Sequence, residues 1–480
     1  MRLIRSASFF FLCLLVFAAP ASAELVARGV QRGMLAVGPN GGPVVAYVRG
    51  KKLMVAERTS RGKWRAARAA RIAPGSVVMA VAVGAKGPAV LTIGPTGRNL
   101  FLVRRSGRSW HKNRLGRQLA TGRQFGWPGL AFDAKGLPVI AYTRWSSRSF
   151  DSALTLARMD ARGRIHVKQI TENGFPKSYA PPPAAPVIVG GKAHVIESYG
   201  YETLVGTIEW YPKGKTWEGI FIDVGRGEVP VGPVFTRATR SRTVYAAWSQ
   251  SKFALGYLPV TLAVRAHQEA KSKYLLDRAL TTGLALPGKR PEVAANEWVP
   301  EDVDDPFGDS QIWAGKVVSG SAKTELDGWI AGFGASPGGE RQVLLARPGG
   351  LSWFRSPGRL GKRVSLKAEA QEDDSVSLSG QVAGVRSGRI TLYRERFGAA
   401  RGAIARPSIT DGRFSYVDRP PTGPFVYRAV YTDPRTRIPY AALLRQQVGS
   451  PGPSAAVRPP LPRWLGFHGP VALGGELAVP

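Results

Sequence analysis

The chain has 480 residues, of which 67 are Lys or Arg and 33 are Asp or Glu, so its formal net charge is +34. It is long enough to bury a large hydrophobic core. Its one cysteine, Cys13, excludes an intramolecular disulfide framework, so the fold must be stabilised by packing.

The first 23 residues have the three parts of a secretory signal peptide. Arg2 and Arg5 form a basic start, residues 9–19 are apolar, and a small-residue cleavage site ends at Ala23. A membrane anchor is the competing interpretation, but the apolar run is too short to span a bilayer. We therefore expect cleavage after Ala23, a secreted or cell-envelope location, and no membrane span in the mature chain.

The positive charge is the main clue to a partner. Without the two arginines of the signal peptide the charge is +32, which attracts anionic polymers. The competing interpretation is a compositional bias that scatters arginine over the surface with no specific partner. We expect a glycan or an anionic cell-surface polymer as partner, no specific nucleic acid, and a monomer.

The sequence contains internal repeats. Segments 35–48 (LAVGPNGGPVVAYV) and 130–143 (LAFDAKGLPVIAYT) align without a gap. Weaker copies lie at 80–93, 187–199, 240–249 and 326–335. Each copy has two apolar segments around a Gly-containing or polar turn, a pattern that predicts a β-hairpin.

A second hairpin follows most copies and ends in a large apolar residue. The residues at this position are Trp64, Trp110, Trp217, Trp353 and, once, Ile165. Two hairpins give four strands per unit, and four-stranded units of about 45–55 residues are typical of β-propeller blades. We therefore predict an all-β, six-bladed propeller over residues 24–360. The long segment 296–318 in the last unit leaves a seven-bladed propeller as the alternative.

These second hairpins resemble the Asp-box (BNR-type) repeats of sialidase-like propellers in secreted bacterial proteins, whose pattern is Ser-x-Asp-x-Gly-x-x-Trp. The Gly and Trp positions match at Gly107 with Trp110, Gly214 with Trp217 and Gly350 with Trp353. The Asp position holds Arg105, Pro212 and Pro348. The repeats are thus degenerate, and the resemblance implies the propeller architecture without the Asp-box side-chain network.

A different pattern begins at Val364. Short alternating segments, separated by turn signals such as Asp411-Gly412, predict six or seven strands and a β-sandwich over residues 361–449. This segment resembles bacterial immunoglobulin-like modules, with Tyr427 at the position of a tyrosine corner, which implies a spacer or adhesion role. Residues 450–480 are rich in Pro and Gly without periodicity, and we expect a disordered tail.

One loop is acidic in this basic chain. Clustered carboxylates suit Ca²⁺, which binds six to eight oxygen ligands. The predicted calcium ligands are Asp302, Asp304, Asp305 and Asp309. Two other interpretations compete: a solvated loop, and a loop neutralised by the protein's own arginines. No other cofactor is predicted.

No catalytic residue is predicted. Residues 334–338 (GASPG) have the spacing of a nucleophile elbow, but Pro337 lacks the backbone N–H that would stabilise an oxyanion. Tyr199, Tyr201 and Glu202 resemble the Tyr/Glu pair of sialidases, and aromatic packing is the competing interpretation.

Two functions follow as hypotheses. The leading one is a secreted, non-catalytic binding or scaffold protein of the cell surface or envelope that recognises a glycan or another anionic polymer. The alternative is a glycan-active hydrolase or lyase of sialidase-like fold. The propeller alone does not separate them, because this fold supports many functions.

Overall fold

The computed structural model describes residues 24–448 except 172–177, 179–180, 202–203, 226–227, 253–259, 267–268, 289, 301–310, 359, 398 and 400. In these described residues every regular element is a β-strand. The same residues contain no helix that could span a membrane.

The first strand, β1 (Glu24–Arg28), is followed by antiparallel sheets formed by consecutive strands. Sheet 1 contains β2 (Gly33–Val37), β3 (Pro43–Arg49), β4 (Lys52–Arg58) and β5 (Trp64–Arg71). Sheet 2 contains β6 (Val77–Gly84), β7 (Gly87–Ile93), β8 (Leu100–Ser106) and β9 (Ser109–Arg114). Sheet 3 contains β10 (Arg123–Phe125), β11 (Gly129–Phe132), β12 (Pro138–Ser146), β13 (Ser152–Met159) and β14 (Ile165–Gln169).

The next three sheets repeat the same order. Sheet 4 contains β15 (Ala184–Val189), β16 (Lys192–Tyr201), β17 (Leu204–Lys213) and β18 (Thr216–Gly225). Sheet 5 contains β19 (Glu228–Ala238), β20 (Val244–Lys252), β21 (Val260–Ala266) and β22 (Glu269–Leu276). Sheet 6 begins with β23 (Ala279–Ala285), β24 (Glu292–Pro300), β25 (Gln311–Ser319) and β26 (Ala322–Leu326).

Sheet 7 is completed by the start of the chain. Its own strands are β27 (Trp329–Ala335), β28 (Arg341–Arg347) and β29 (Gly350–Ser356). Strand β1 pairs antiparallel with β29, with Leu25 opposite Ser352. Arg58 of sheet 1 donates two hydrogen bonds of 2.8 and 2.6 Å to the carboxylate of Glu24, which fastens β1 to the neighbouring sheet.

One inner strand of each sheet contacts the inner strand of the next, and these contacts form a cycle. Strand β2 contacts β6, and contacts then run through β11, β15, β19 and β23 to β27, which contacts β2 again. This series of antiparallel sheets is consistent with a β-propeller, as the sequence repeats predict. The sequence analysis did not identify the hairpin of β23 and β24 as a repeat. The structure shows that these strands pair antiparallel like the first two strands of other sheets.

Apolar side chains fill the space between neighbouring sheets. Between sheets 3 and 4, for example, Val139 and Leu154 pack with Ala184 and Val195. The inner strands of each sheet present alternate residues to two faces that are both covered by a neighbouring sheet, so these strands contain long apolar runs. This burial explains why the repeated segments consist mainly of Val, Ala, Leu and Ile.

The C-terminal part forms two sheets that pack on each other. Its strands are β30 (Val364–Ala370), β31 (Val376–Val382), β32 (Ser387–Arg389), β33 (Thr391–Glu395), β34 (Gly402–Ala405), β35 (Ser408–Thr410), β36 (Arg413–Asp418), β37 (Gly423–Thr432) and β38 (Pro439–Val448). One sheet has the order β30-β31-β36-β35-β32, and the other continues sheet 6 in the order β26-β38-β37-β33-β34. We call these nine strands the C-terminal sandwich.

The sandwich and sheet 6 share one hydrophobic core. Leu326 of β26 pairs with Tyr440 of β38, and both belong to a buried cluster that also contains Ile330 and Leu378. Tyr427 is fully buried, and its hydroxyl donates a 2.8 Å hydrogen bond to the carboxylate of Asp418. A tyrosine corner would place this hydroxyl on a backbone group, so the side chain is buried as expected but has a different partner.

Candidate functional site

The predicted calcium ligands Asp302, Asp304, Asp305 and Asp309 lie outside the described residues. Glu297, at the start of the acidic segment, forms an ion pair with Lys316. Among the described residues, no three His, Cys, Asp or Glu side chains come close enough together to hold a metal ion. Calcium binding at this loop therefore stays a prediction.

The predicted tryptophans occupy two different positions. Trp64, Trp110 and Trp217 lie on the outer strands β5, β9 and β18, whereas Trp353 lies on β29, the third strand of its sheet. The expectation of four equivalent positions was therefore wrong for Trp353. The cause is ring closure, because β1 supplies the outer strand of sheet 7. Trp353 is 1% exposed, and its ring packs edge-on against Trp64 with ring centroids 5.7 Å apart.

The segment with the predicted Tyr/Glu pair is only partly described. Glu202 lies outside the described residues, and Tyr201 ends strand β16. Tyr199 is buried and lies on the same face of β16 as Glu197, two residues earlier. Burial raises the pKa of Tyr199, and the nearby carboxyl of Glu197 raises it further. The structure thus associates Tyr199 with Glu197, a residue that the sequence analysis did not select.

Glu197 is fully buried between sheets 3 and 4. Its Oε2 accepts a 3.0 Å hydrogen bond from Nε1 of Trp210, while its Oε1 has no hydrogen-bond partner within the described part of the chain. Burial raises the pKa of Glu197 to about 8, against a smaller opposing effect of the Trp210 hydrogen bond. The segment HVIESY gives a signal for this site, because a Glu occupies an apolar position of the alternation.

Buried carboxylates of several sheets bind arginines of the next sheet. Glu209 accepts hydrogen bonds from Arg265, and Nδ1 of His194 lies 2.6 Å from its Oε1. Burial alone would raise the pKa of Glu209, but His194 and Arg265 hold it below its usual value. Glu292 of sheet 6 receives two hydrogen bonds of 3.1 and 2.8 Å from Arg341 of sheet 7. Part of the negative charge of the chain is therefore used to neutralise arginines between sheets. Fewer carboxylates remain at the surface to balance its positive charge.

The most asymmetric charge distribution lies in sheets 1 and 2. Residues 58–132 contain fifteen Lys and Arg residues and no Asp or Glu. This segment includes both outer strands, β5 and β9, which contact each other along the rim of the molecule. Glu24 and Glu57, which lie outside the run, pair with Arg58 and Arg105, and the other cations of the run leave an excess of positive charge that attracts anions.

Three exposed basic side chains lie on the faces of β5 and β9 that are turned toward each other. Arg65 pairs in register with Glu57, and Glu57 forms an ion pair with Arg105 of sheet 2, so Arg65 lies on the face turned toward sheet 2. Lys112 and Arg114 lie on the face of β9 that packs toward sheet 1. We call Arg65, Lys112 and Arg114 the basic edge.

The basic edge also contains an aromatic ring. Nζ of Lys112 lies 4.1 Å from the ring centroid of Phe101, and the guanidinium carbon of Arg114 lies 5.6 Å from it. Lys112 also donates a 3.0 Å hydrogen bond to the backbone oxygen of Arg71 on β5. Burial lowers the pKa of Lys112, and the positive charge of Arg114 lowers it further. Within the described residues none of the three cations of the basic edge forms an ion pair, and the neighbouring charges of Lys112 and Arg114 are held together without neutralisation.

Ser336 of the GASPG segment lies in the turn between β27 and β28. Its hydroxyl accepts a 3.1 Å hydrogen bond from the backbone N–H of Glu340, and its own N–H donates 2.9 Å to the oxygen of that residue. The strand that follows is β28, not a helix. The nucleophile elbow requires a helix after the serine, so this segment has the geometry of a hairpin turn.

No protein-family model and no curated protein matches this sequence. Some solved structures have a similar fold, but their sequence identity to this chain is low. A protein of unknown function from Dyadobacter fermentans is 10% identical with a TM-score of 0.39, covering 70% of this chain and 98% of that one. An exo-β-1,3-galactanase from Phanerochaete chrysosporium is 9% identical with a TM-score of 0.36, covering 85% and 100%. An α-L-arabinofuranosidase from Fusarium graminearum is 11% identical with a TM-score of 0.33, covering 62% and 93%. These similarities are too distant to transfer an activity.

Proposed function

We propose that this protein is a secreted, non-catalytic binding protein of the cell surface or envelope that recognises an anionic glycan through the basic edge. The observation that carries the proposal is the acid-free run of residues 58–132, which leaves Arg65, Lys112 and Arg114 exposed and without ion pairs to any residue that the structure describes. An anion placed among these side chains reduces their mutual repulsion.

The side-chain chemistry favours carboxylate or sulfate groups. The planar guanidinium groups of Arg65 and Arg114 can each donate two parallel hydrogen bonds to such a group. The half-buried ring of Phe101, between the basic side chains, adds an apolar surface on which a sugar ring can lie. The basic edge connects two strands along the rim, so it suits an extended polymer better than a single small anion.

We also propose the architecture that presents this edge. Sheets 1 to 7 are the blades of a seven-bladed propeller over residues 24–360, closed by β1, and residues 361–449 form an immunoglobulin-like sandwich. The cyclic contacts of the inner strands from β2 through β27 support this arrangement. The propeller is then a rigid scaffold, and the outer strand of each blade is available at the rim.

A direct binding measurement tests the function. The chain from Glu24 onward is titrated with a carboxylated polysaccharide, a sulfated one, a neutral one and duplex DNA at several salt concentrations. We expect binding to the anionic polysaccharides that weakens with added salt, because exposed charges are screened, and no binding to the neutral polymer. Stronger binding to DNA than to both anionic polysaccharides would show that the ligand is a nucleic acid and not a glycan.

A charge-reversed variant locates the site. We expect the triple variant Arg65→Glu, Lys112→Glu, Arg114→Glu to lose at least about tenfold in affinity, since each lost contact is worth roughly 0.5–1 kcal/mol. The matched control reverses three exposed arginines of the sandwich, Arg386, Arg389 and Arg413, and changes the net charge by the same amount. Equal losses in both variants would show that only net charge matters.

The same variants separate binding from two other roles. Basic residues on an edge strand also block unwanted strand pairing. If that were their only role, the edge variant would self-associate but keep its affinity for the polysaccharide. Shortening of the polysaccharide during incubation would instead favour the hydrolase or lyase hypothesis.

A further inference from the structure

The buried carboxyl group of Glu197 has no role in the proposed binding surface. Glu197 lies on β16 in the alternation of Ala193 and Val195, which face sheet 3 across the apolar cluster of Val139 and Leu156. Its side chain is 0% exposed. A carboxyl group is therefore enclosed between two sheets whose contact is mainly apolar.

Among the described residues, the carboxyl has one polar contact. Trp210 donates to Oε2 at 3.0 Å, and no described residue forms a hydrogen bond with Oε1. An ionised carboxylate in such surroundings would lose most of its hydration without a compensating charge. The protonated form avoids most of this cost, so the closed interface favours the acid over the carboxylate.

No basic partner in the described part of this interface offsets the burial. The residues of β12, β15 and β17 that share the face are uncharged, and Tyr199 on β16 is a buried phenol. The charged residues on the facing strands β13 and β14 are exposed: Arg158, His166 and Lys168. Glu209 with Arg265 lies on the opposite face of sheet 4.

We propose that a single proton on Glu197 controls the packing of sheet 3 against sheet 4, so that this interface loosens as the solution becomes alkaline. The protonated residue fits the apolar interface with its Trp210 hydrogen bond. The ionised residue draws water or a cation to Oε1, and this requires the two sheets to separate locally.

The direction of the pH dependence follows from the raised pKa. Burial raises the pKa of Glu197 to about 8 in the folded protein, from about 4.5 for an exposed glutamate. Below pH 4.5 both states hold the proton, and its contribution to the closed interface is complete. That contribution is lost as pH rises toward about 8, and the opening equilibrium increases by up to tenfold per pH unit in this window. Above about pH 8 no further change comes from this group.

The test compares the wild-type chain with Glu197→Gln between pH 5 and pH 9. Glutamine keeps the shape and the acceptor for Trp210 but does not titrate. We expect the wild type to lose melting temperature as pH rises through this range and the variant to lose much less. The matched control is Glu218→Gln on the same sheet, a carboxyl whose pKa is lowered by Lys213 and Tyr211 and which should leave the wild-type pH dependence in place.

Hydrogen exchange supplies a local readout that also works if the variant fails to fold. At pH 9, amides of β15 and β16 should exchange at least about tenfold faster in wild type than in Glu197→Gln, while those of β3 in sheet 1 should not differ. In the wild type alone, protection of β15 and β16 corrected for intrinsic rates should fall between pH 6 and pH 9, and that of β3 should stay constant. Equal pH dependence in wild type and variant, or a uniform loss of protection over all sheets, would overturn the proposal.

Discussion

Nη1 of Arg428, on β37 of the C-terminal sandwich, lies 3.4 Å from Oδ1 of Asp327, between the last strand of sheet 6 and the first strand of sheet 7. Asp327 is 1% exposed and also binds Arg347 of β28 at 3.2 Å and Arg401 of the sandwich. Burial alone would raise the pKa of Asp327, but these three arginines hold it below its usual value. One carboxylate thus joins two sheets of the ring and the sandwich.

The first prediction concerns this carboxylate. Asp327→Asn should reduce the free energy of unfolding by about 1–3 kcal/mol, because Arg347 and Arg401 lose their carboxylate and the buried Arg428 keeps only Glu395 as a counter-charge. Urea denaturation measures the change. Asp373→Asn is the control, since Asp373 is an exposed carboxylate near Arg419 and should change stability by less than about 1 kcal/mol. Equal effects of the two substitutions would contradict the role given to Asp327.

The second prediction concerns the dependence of the ring on the sandwich. A chain that ends at residue 360 exposes Leu326 and Ile330 of the shared core and removes two of the three arginines on Asp327. We expect it to melt at a lower temperature, bind a hydrophobic dye and aggregate. A chain that ends at Val448 keeps all of the described contacts and should melt like the full chain. An unchanged melting temperature after removal of the sandwich would show that the ring is stable alone.

The third prediction separates the tryptophans by position. Trp353→Ala should cost about 3–5 kcal/mol, because it leaves a cavity between β29 and Trp64 in the closing sheet. Trp110→Ala, at a half-buried position on an outer strand, should cost less than half as much. Thermal or urea unfolding compares the two. A larger loss for Trp110 would mean that the outer hairpins contribute more stability than the closing sheet.

The fourth prediction is calcium binding by the acidic loop. Millimolar calcium should raise the melting temperature of the wild-type chain relative to EDTA, because a ligand that binds the folded state stabilises it. The triple variant Asp302→Asn, Asp304→Asn, Asp305→Asn should lose this response. The same three changes should leave the response to an anionic polysaccharide intact. Identical melts of the wild type in calcium and in EDTA would exclude a calcium site.

The repeated hairpins were readable in the sequence because burial on both faces imposes the same apolar pattern on each sheet. The hairpin of β23 and β24 escaped because Pro287 and Pro291 flank its turn and a bulge between Thr281 and Gly283 shifts the alternation. The position of Trp353 within its sheet could not be predicted from the sequence either. Its hairpin looks like the others, and only the pairing of β1 with β29 makes its strand the third one.

The candidate sites show a similar division. The acid-free run 58–132 is visible in the sequence, but only the pairing of Arg65 with Glu57 and the hydrogen bond from Lys112 to Arg71 bring its cations to one edge. Glu197 stands out in the sequence by its apolar neighbours, but whether a described residue of opposite charge faces it depends on the sheet across the interface. Long-range contacts of this kind leave no mark on local sequence.

The pairing of β1 with β29 also sets an order in time. The ribosome makes residues 24–28 before any other part of the described fold, yet their partners at 350–353 come more than 320 residues later. Until then β1 has no strand to pair with. Once β27, β28 and β29 have formed, the edge of sheet 7 stays unpaired until β1 binds to it. Contacts between residues so distant in the chain form slowly, and an unpaired edge invites aggregation in the meantime. The strand that is synthesised first is therefore the last to form its backbone hydrogen bonds, and the ring of sheets closes only when β1 pairs with β29.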